Sequence, residues 1–402
     1  MLGKINLLFI ISLFSTEITF GQNDIKAREL AKRYIIVDGH VDLPYRLKVK
    51  NFRLEKSYTG IPVSSKDGDF DFKRAQKGGL DAPFMSIYIP SDLDTQAAQS
   101  LADSLINMVK YIADEKSKYF EVAKTPNEIY RIVAKGKIAL PMGMENGSPI
   151  GILSDVTAYR KKGISYITLT HAKDNKISDS SYDSTGTWQG LSPFGKDVVK
   201  TMAKEGILID VSHISDKAFY TVMELSPVPV IASHSSARYF TPGFQRNMAD
   251  DMIRAMGKNR GVIMVNFGST FLDGKVADFR KSFKKELDSL FISKNLNPSS
   301  HEASLAADAF FDKKKAAFSD VKMVANHIDH IVKLAGVDHV GLGSDFDGVG
   351  NMLPVGLKDV SDYPVLIEEL LNRGYTTNEI QKICSGNIFR VWNAALDYAE
   401  KN

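Results

Sequence analysis

Between Gly206 and Arg238 the chain reads GILIDVSHISDKAFYTVMELSPVPVIASHSSAR, two apolar runs that each end in a histidine. Ile207, Leu208, Ile209 and Val211 predict a buried strand ending at Ser212-His213, and Val228, Val230, Ile231 and Ala232 predict another ending at Ser233-His234. The amphipathic stretch from Asp216 to Leu225 lies between them. A strand, a helix and a second strand make parallel neighbours whose C-terminal ends share one face, so His213 and His234 are expected side by side. Imidazoles at adjacent strand ends are what a metal site needs.

The alternation continues along the chain. Further strands are predicted at Tyr34–Asp38, Pro83–Ile89, Lys137–Met144, Ile164–Thr170, Gly261–Phe267 and His339–Asp345, with helices at Asp24–Lys32, Leu93–Tyr119, Ala249–Lys258 and Asp320–Ala335. Eight strands alternating with helices predict an α/β chain folded as a (β/α)8 TIM-type barrel. Residues 273–318, rich in Lys, Asp and Ala, read as a solvated helical insertion after strand seven. Helices at Tyr363–Asn372, Thr377–Cys384 and Asn387–Tyr398 close the chain. With 402 residues and 44% apolar content there is material for one such barrel, expected over residues 22–402.

In a barrel of this kind chemistry sits at the C-terminal strand ends. His40 and Asp42 follow strand one, Glu145 strand three, His171 strand four, His213 strand five and His234 strand six, and Asp345 ends strand eight. Any one of these alone is more simply a structural residue. Scattered core histidines would not fall in register. His339, at the opposite end of strand eight, serves as the control and is expected to be structural; His301, His327 and His330 lie on helical stretches away from any strand end. Arg238, four residues after His234, is either a surface arginine or a two-point clamp for a substrate carboxylate. The polar loop from Ala172 to Lys196 is long enough to act as a lid, and residues 49–79 read as a surface excursion.

Imidazole and carboxylate donors without thiolates suit zinc, with manganese, iron or cobalt also able to bind. A glutamate between two such sets could bridge two cations, which would share a water, make it hydroxide near neutral pH and polarise a carbonyl. That chemistry hydrolyses an amide or ester without a protein nucleophile. A formal charge of +3 and the lack of a basic run interleaved with aromatics argue against nucleic acid. Lys4, the apolar run Ile5–Phe14 and the small and polar residues to Gly21 have the layout of a secretory signal over residues 1–21. That run is about half the roughly 20 residues needed to span a bilayer, so no stable membrane insertion is expected. The single cysteine, Cys384, excludes an intramolecular disulfide.

Taken together, Asp38-Gly-His-Val-Asp42, Gly143-Met-Glu145, Leu169-Thr-His171, Asp210-Val-Ser-His213, Ser233-His-Ser-Ser-Ala-Arg238, Gly341-Leu-Gly-Ser-Asp-Phe-Asp-Gly348 and Gly386-Asn-Ile-Phe-Arg-Val391 resemble the membrane (renal-type) dipeptidases and their bacterial relatives, a family of metallopeptidases. The resemblance implies a protease of the dipeptidase class with two Zn2+ ions per chain, cleaving dipeptides that include those with a C-terminal D-residue. It implies that His40 and Asp42 bind one zinc, that His213 and His234 bind the other, and that Glu145 bridges them. His171 would steady the oxyanion, Arg238 would hold the substrate carboxylate and Asp345 would handle the proton. Relatives often carry Gly where Asn146 stands, so a side chain is expected at the edge of the pocket. Without disulfides or a C-terminal anchor, the chain looks like a soluble, exported bacterial form, periplasmic or extracellular, with a homodimer suggested by relatives. Two other readings are a barrel metallohydrolase for another amide, lactone or phosphoester, and a metal-loaded binding protein without turnover.

Overall fold

The computed structural model describes residues 21–49, 62–298 and 301–402. The expected signal segment, Gly21 apart, and much of the expected surface excursion lie outside the described residues. Eight parallel strands close into a barrel in chain order: β1 (Ile36–Val41), β2 (Leu80–Tyr88), β3 (Met142–Glu145), β4 (Ile164–Thr168), β5 (Leu208–Asp210), β6 (Ile231–Ala232), β7 (Val262–Val265) and β8 (Val340–Leu342), which pairs back with β1. All eight C-terminal ends therefore open on one face.

Helices fill the crossovers, and their starts are marked by side-chain caps. Asp94, Ser192, Ser215 and Asp320 each accept a backbone N–H from the first turn of the helices Thr95–Glu115, Pro193–Lys204, Asp216–Leu225 and Val321–Ala335. The cap at Asp94 explains why the helix expected from Leu93 begins two residues later. It ends before Tyr119 because Phe120–Val122 is a strand. Between β7 and the helix Val321–Ala335, helices Gly274–Ser282, Lys284–Ser293 and His301–Phe311 occupy the stretch expected to be helical.

One expected strand is two. Residues 137–144 contain Pro141, which has no N–H for a ladder and breaks the run. Ile138–Leu140 pairs with Phe120–Val122 in a separate two-stranded sheet, and only Met142–Glu145 joins the barrel. Likewise the helix expected over 377–384 is α-helical to Gln381 and then a π turn, Lys382–Gly386, leading into the last helix, Asn387–Ala399.

Two apolar clusters hold the layers together. The larger lies mostly between strands and helices, and the smaller joins Val37, Phe84, Tyr166, Leu208, Ile231 and Met264 from six strands to Phe389 and Trp392 of the last helix. Phe84 on β2 lies 5.3 Å from Tyr166 on β4 and 5.1 Å from Trp392, ring centre to ring centre. Since β2 and β4 are not neighbours, these rings meet across the barrel interior. Gly143 on the intervening β3 makes room, because a Cβ there would lie 1.9 Å from the Tyr166 ring. Tyr166 and Trp392 are fully buried, and at about 25 cal/mol per Å2 side chains of this size are among the largest single apolar contributions to the core. Cys384 is buried in the larger cluster, its thiol pushed up to about 12 by burial and then by the Asp81 carboxylate, so it is an inert packing group.

Candidate active site

The strand ends bring the expected donors to one point. His213 and His234 leave β5 and β6 with their Nε2 atoms 2.9 Å apart, and these lie 3.0 and 3.2 Å from Glu145 Oε1. On the other side, His40 Nε2 lies 3.2 Å from Glu145 Oε2 and 3.4 Å from Asp42 Oδ2. The rings of His40 and His234 stack with centres 3.9 Å apart. Glu145 thus turns one oxygen to each set. His171 follows at 3.7 Å from Glu145 Oε1 and is the most exposed of the group, its side chain 20% accessible. Asp345 closes the cluster with His40 and Asp42, and its Oδ2 accepts from Asn266 Nδ2 at 2.7 Å.

Three groups of these side chains have donor atoms close enough to share an ion: His40 with Glu145 and His234, Glu145 with His171 and His213, and His40 with Asp42 and Asp345. The fit is chemical as well as geometric. Asp42 Oδ1 is buried with no hydrogen-bond partner, and His40 Nε2 faces the Glu145 and Asp42 carboxylates. Buried polar atoms left without partners are costly, and a cation between them removes that cost.

The backbone is shaped around this cluster. Asn146, His213, Asp345 and Asp347 all have positive φ, between 64° and 81°, at about 1–2 kcal/mol each for residues with a Cβ. Gly348 lies flat against the carboxylates, since a Cβ there would be 2.2 Å from both Asp345 Oδ1 and Asp42 Oδ2.

The titrating groups divide in the way a metal site requires. Burial, followed by the Arg246 charge, holds His213 well below the ordinary imidazole range, and burial followed by His40 does the same for His234. Both are neutral and keep a lone pair for a cation. Burial also opposes charge on His40, but Tyr166 and the Glu145 and Asp42 carboxylates outweigh it and hold His40 well above its usual value. That proton is the one a cation would displace. Burial works against the charge on Glu145, yet His40, His171 and their neighbours keep it well below the carboxylate range. Asp345 is pushed up to about 7, by burial first and then by the nearby carboxylates against His40.

Above the cluster lies a pocket of about 480 Å3 whose wall includes Tyr45, Tyr88, Tyr182, Phe271, Val349 and Met352. Tyr182 comes from the loop expected to be a lid. That loop is stapled by its own acids: Asp174 accepts from the backbone of Ser180 and Thr187, Asp179 from Trp188 and Gly190, and Asp183 from Asp174 and Thr185. Through Ala172 and Tyr182 it forms part of the pocket wall. Asn146 does not reach the pocket: it donates to Ile89 O and accepts from Asn175 Nδ2 and the Ser148 N–H, tying β3 to the same loop.

Arg238 is the expected residue that the structure sets apart. Its guanidinium makes two hydrogen bonds to Asp216, at 2.8 and 2.6 Å, with Nε on Asn247 O, and it is absent from the pocket wall. A 3-10 turn at Arg238–Phe240 leads the chain away from the site, and the Arg238 N–H to Met248 O and Met248 N–H to Ser236 O bonds bring it back. The returning segment carries Arg246, which is 3% exposed and places Nη2 3.0 Å from His213 Nε2 and 2.8 Å from His234 O, with Nη1 2.7 Å from Ser235 Oγ. Sequence reading missed Arg246 because it stands twelve residues beyond His234 in an irregular loop, Phe244-Gln-Arg-Asn247, where no periodicity assigns direction. Three further histidines are structural: His339 contacts Gly261 O at 2.8 Å, His330 pairs with Asp250, and His327 bridges the Ala237 N–H and Leu272 O.

Comparisons with known proteins find relatives over nearly the whole chain. The model of a family described as membrane dipeptidase (peptidase family M19) matches residues 25–402. The dipeptidase tcpJ of Claviceps purpurea is 31% identical over 372 residues, covering 90% of this chain and 77% of its own. The crystal structure of the probable dipeptidase PvdM from Pseudomonas aeruginosa superposes with a TM-score of 0.80 at 26% identity, covering 94% of this chain and 99% of its own. A metallopeptidase of Rhodobacter sphaeroides, solved with a phosphinate mimic of the dipeptide L-Ala-D-Ala, shares the fold at a TM-score of 0.74 and 23% identity, covering 90% of this chain and 99% of its own.

Proposed function

The chain belongs to the membrane dipeptidase family of metallopeptidases, peptidase family M19, and from that premise we propose that it is a dipeptidase working with two zinc ions bridged by Glu145. The observation that carries this reading is the division of the Glu145 carboxylate, with Oε2 3.2 Å from His40 and Oε1 3.0 and 3.2 Å from His213 and His234. His40 and Asp42 would hold one ion, and His213 and His234 the other. When bound, such a pair lowers the pKa of a shared water and polarises the scissile carbonyl.

The remaining residues bind, orient and move protons. His171, on the accessible side of Glu145, donates to the oxygen that becomes anionic. Asp345, fixed through Oδ2 by Asn266, takes and returns a proton at its other oxygen, beside Asp42 and Gly348. Arg246, in place of the expected Arg238, receives the terminal carboxylate of the substrate. Its Nη2 now donates to the His213 Nε2 lone pair that a cation would take, which leaves that N–H for an anion. The aromatic and thioether wall of the pocket excludes water from these groups and accepts apolar dipeptide side chains, including those with a D-residue at the C-terminal position. Lys4 and the apolar run behind it support export with removal of residues 1–21, leaving a single domain over 22–402 that acts in the periplasm or outside the cell. Among the described residues no helix is long and apolar enough to cross a membrane.

Metal analysis of the purified protein coupled to turnover of L,L and L,D dipeptides tests the reading. Two ions per chain and hydrolysis of free dipeptides, both lost in Glu145→Ala, are expected. Metal-replete protein that leaves every dipeptide intact, or Glu145→Ala protein that keeps two ions, overturns it.

A further inference from the structure

Behind the residues that face the pocket, the fully buried Asp210 at the end of β5 gathers four donors. Its Oδ1 accepts from the backbone N–H of Ser212 at 3.0 Å and of Ser233 at 2.9 Å, and its Oδ2 from Thr168 Oγ1 at 2.5 Å and Ser233 Oγ at 2.6 Å. One carboxylate thus ties together the ends of β4, β5 and β6. Surrounded by donors alone, it acts only as an acceptor.

The consequence passes through Ser233. A hydroxyl has a single hydrogen, and that of Ser233 is committed to Asp210. The second short contact of Ser233 Oγ, 2.7 Å from His234 Nδ1, is therefore one in which the imidazole donates. His234 is fixed as the Nδ1–H tautomer, and its Nε2, 3.2 Å from Glu145, presents a lone pair to the site. Ser212 Oγ, 3.4 Å from Ser233 Oγ, is left as a weak donor to the same oxygen.

His40 is backed differently. Its Nδ1 lies 2.8 Å from Tyr166 OH, which donates to Gly39 O at 3.1 Å, so a phenol and a peptide carbonyl stand where His234 has a hydroxyl and a carboxylate. The two halves of the centre are supported by unequal outer groups. A carboxylate behind a ligating imidazole raises its basicity and fixes its orientation.

We propose that Asp210 is a positioning residue for the reaction, acting through the Ser233 hydroxyl to set the tautomer and direction of His234, and so controls the His213/His234 half of the metal centre separately from the His40/Asp42 half. The metal part of this inference rests on the proposed function; the tautomer part does not. The decisive variants are Ser233→Ala, Asp210→Asn and the hydroxyl-keeping Ser233→Thr, each checked for wild-type far-ultraviolet circular dichroism.

Two measurements are read on each. Nitrogen-15 spectra of histidine-labelled, metal-free protein, with His234 assigned by its absence in His234→Gln, report the tautomer. The wild type and Ser233→Thr are expected to show a protonated Nδ1 and a bare Nε2, with a mixture in Ser233→Ala. Calorimetric titration with Co2+ is expected to show one of two binding steps weakened about 10- to 100-fold in Ser233→Ala and Asp210→Asn, the other unchanged, and recovery in Ser233→Thr. A wild-type His234 protonated at Nε2, or a folded Ser233→Ala with an unaltered tautomer, overturns the relay whatever the metal result. Equal weakening of both steps overturns the separate control of the two halves. A wild type that binds fewer than two Co2+ while His234 keeps its Nδ1–H tautomer overturns the two-ion reading and supports the relay.

Discussion

Arg238 and Asp216 are joined by two parallel hydrogen bonds, Nη1 to Oδ2 at 2.8 Å and Nη2 to Oδ1 at 2.6 Å, which pin the segment after β6 to the start of the preceding helix. The arginine nearest to His234 in sequence is therefore tied to Asp216, and Arg246 is the arginine within hydrogen-bond distance of His213 and of the His234 carbonyl. Arg238→Ala is expected to leave kcat/KM for free dipeptides within about threefold and to cost on the order of 1 kcal/mol in urea unfolding, the scale of a well-aligned but partly exposed pair.

Arg246→Ala has the opposite signature. Loss of a charge-assisted contact to the terminal carboxylate should lower kcat/KM by about 10- to 100-fold for free dipeptides, mostly through KM. C-terminally amidated dipeptides, poor substrates of the parent, should be affected little. Steady-state kinetics on matched acid and amide substrates decides it, and an equal loss on both would remove Arg246 from carboxylate recognition.

His171→Ala should separate catalysis from metal binding. Removing one donor at the developing oxyanion typically costs about 100- to 1,000-fold in kcat. Because the His171 side chain lies at the accessible edge of the cluster, 3.7 Å from Glu145, the ions held by deeper side chains should remain. Retained metal stoichiometry with kcat reduced on that scale is the expected pair of results; loss of an ion would make His171 a ligand.

Gly348→Ala tests the backbone at the carboxylates. The added methyl would begin 2.2 Å from Asp42 Oδ2 and Asp345 Oδ1, so the turn or one of the two acids has to shift. The protein should fold with near-parental circular dichroism yet lose the ion of the Asp42 half and its turnover. Full activity in this variant would mean that the turn relaxes without moving either acid.

Asp81 gives a pH dependence far from the chemistry. Burial pushes its carboxyl up to about 7, against the one Ile36 N–H that it accepts. A carboxyl raised above its unfolded value contributes stability that is complete below about pH 4 and is lost as pH rises through 7. Asp81→Asn keeps the acceptor and removes the ionisation. It should match the parent in urea unfolding at pH 4 and exceed it at pH 8 by about 1–3 kcal/mol, below the ceiling of about 4 because the side chain retains some solvent contact. Equal stabilities at pH 8 would show that Asp81 ionises freely in the folded chain.

Much of the architecture was legible before any coordinates. Apolar runs separated by capped helices predict the barrel because parallel strands buried on both faces leave that signature, and Asp216–Leu225 and Tyr363–Asn372 fall where the residues place them. The site donors were legible for a related reason. A side chain at a strand end takes its direction from the strand, so His40, Glu145, His213 and His234 converge once the barrel closes. Pro141 carried its own warning, a missing N–H within an apolar run, and it divides the expected third strand.

What the order of residues determined, then, is everything that local periodicity can direct: eight strands, the helices between them, and the imidazole and carboxylate donors riding on strand ends. The tertiary structure alone decided which arginine lies against His213, that Asn146 turns from the pocket toward Asn175, and that Asp210 reaches His234 through Ser233. These depend on where loops return and on single hydrogen bonds between residues far apart in the chain. A loop has no repeat to fix its direction, and a hydroxyl has no partner until the fold supplies one.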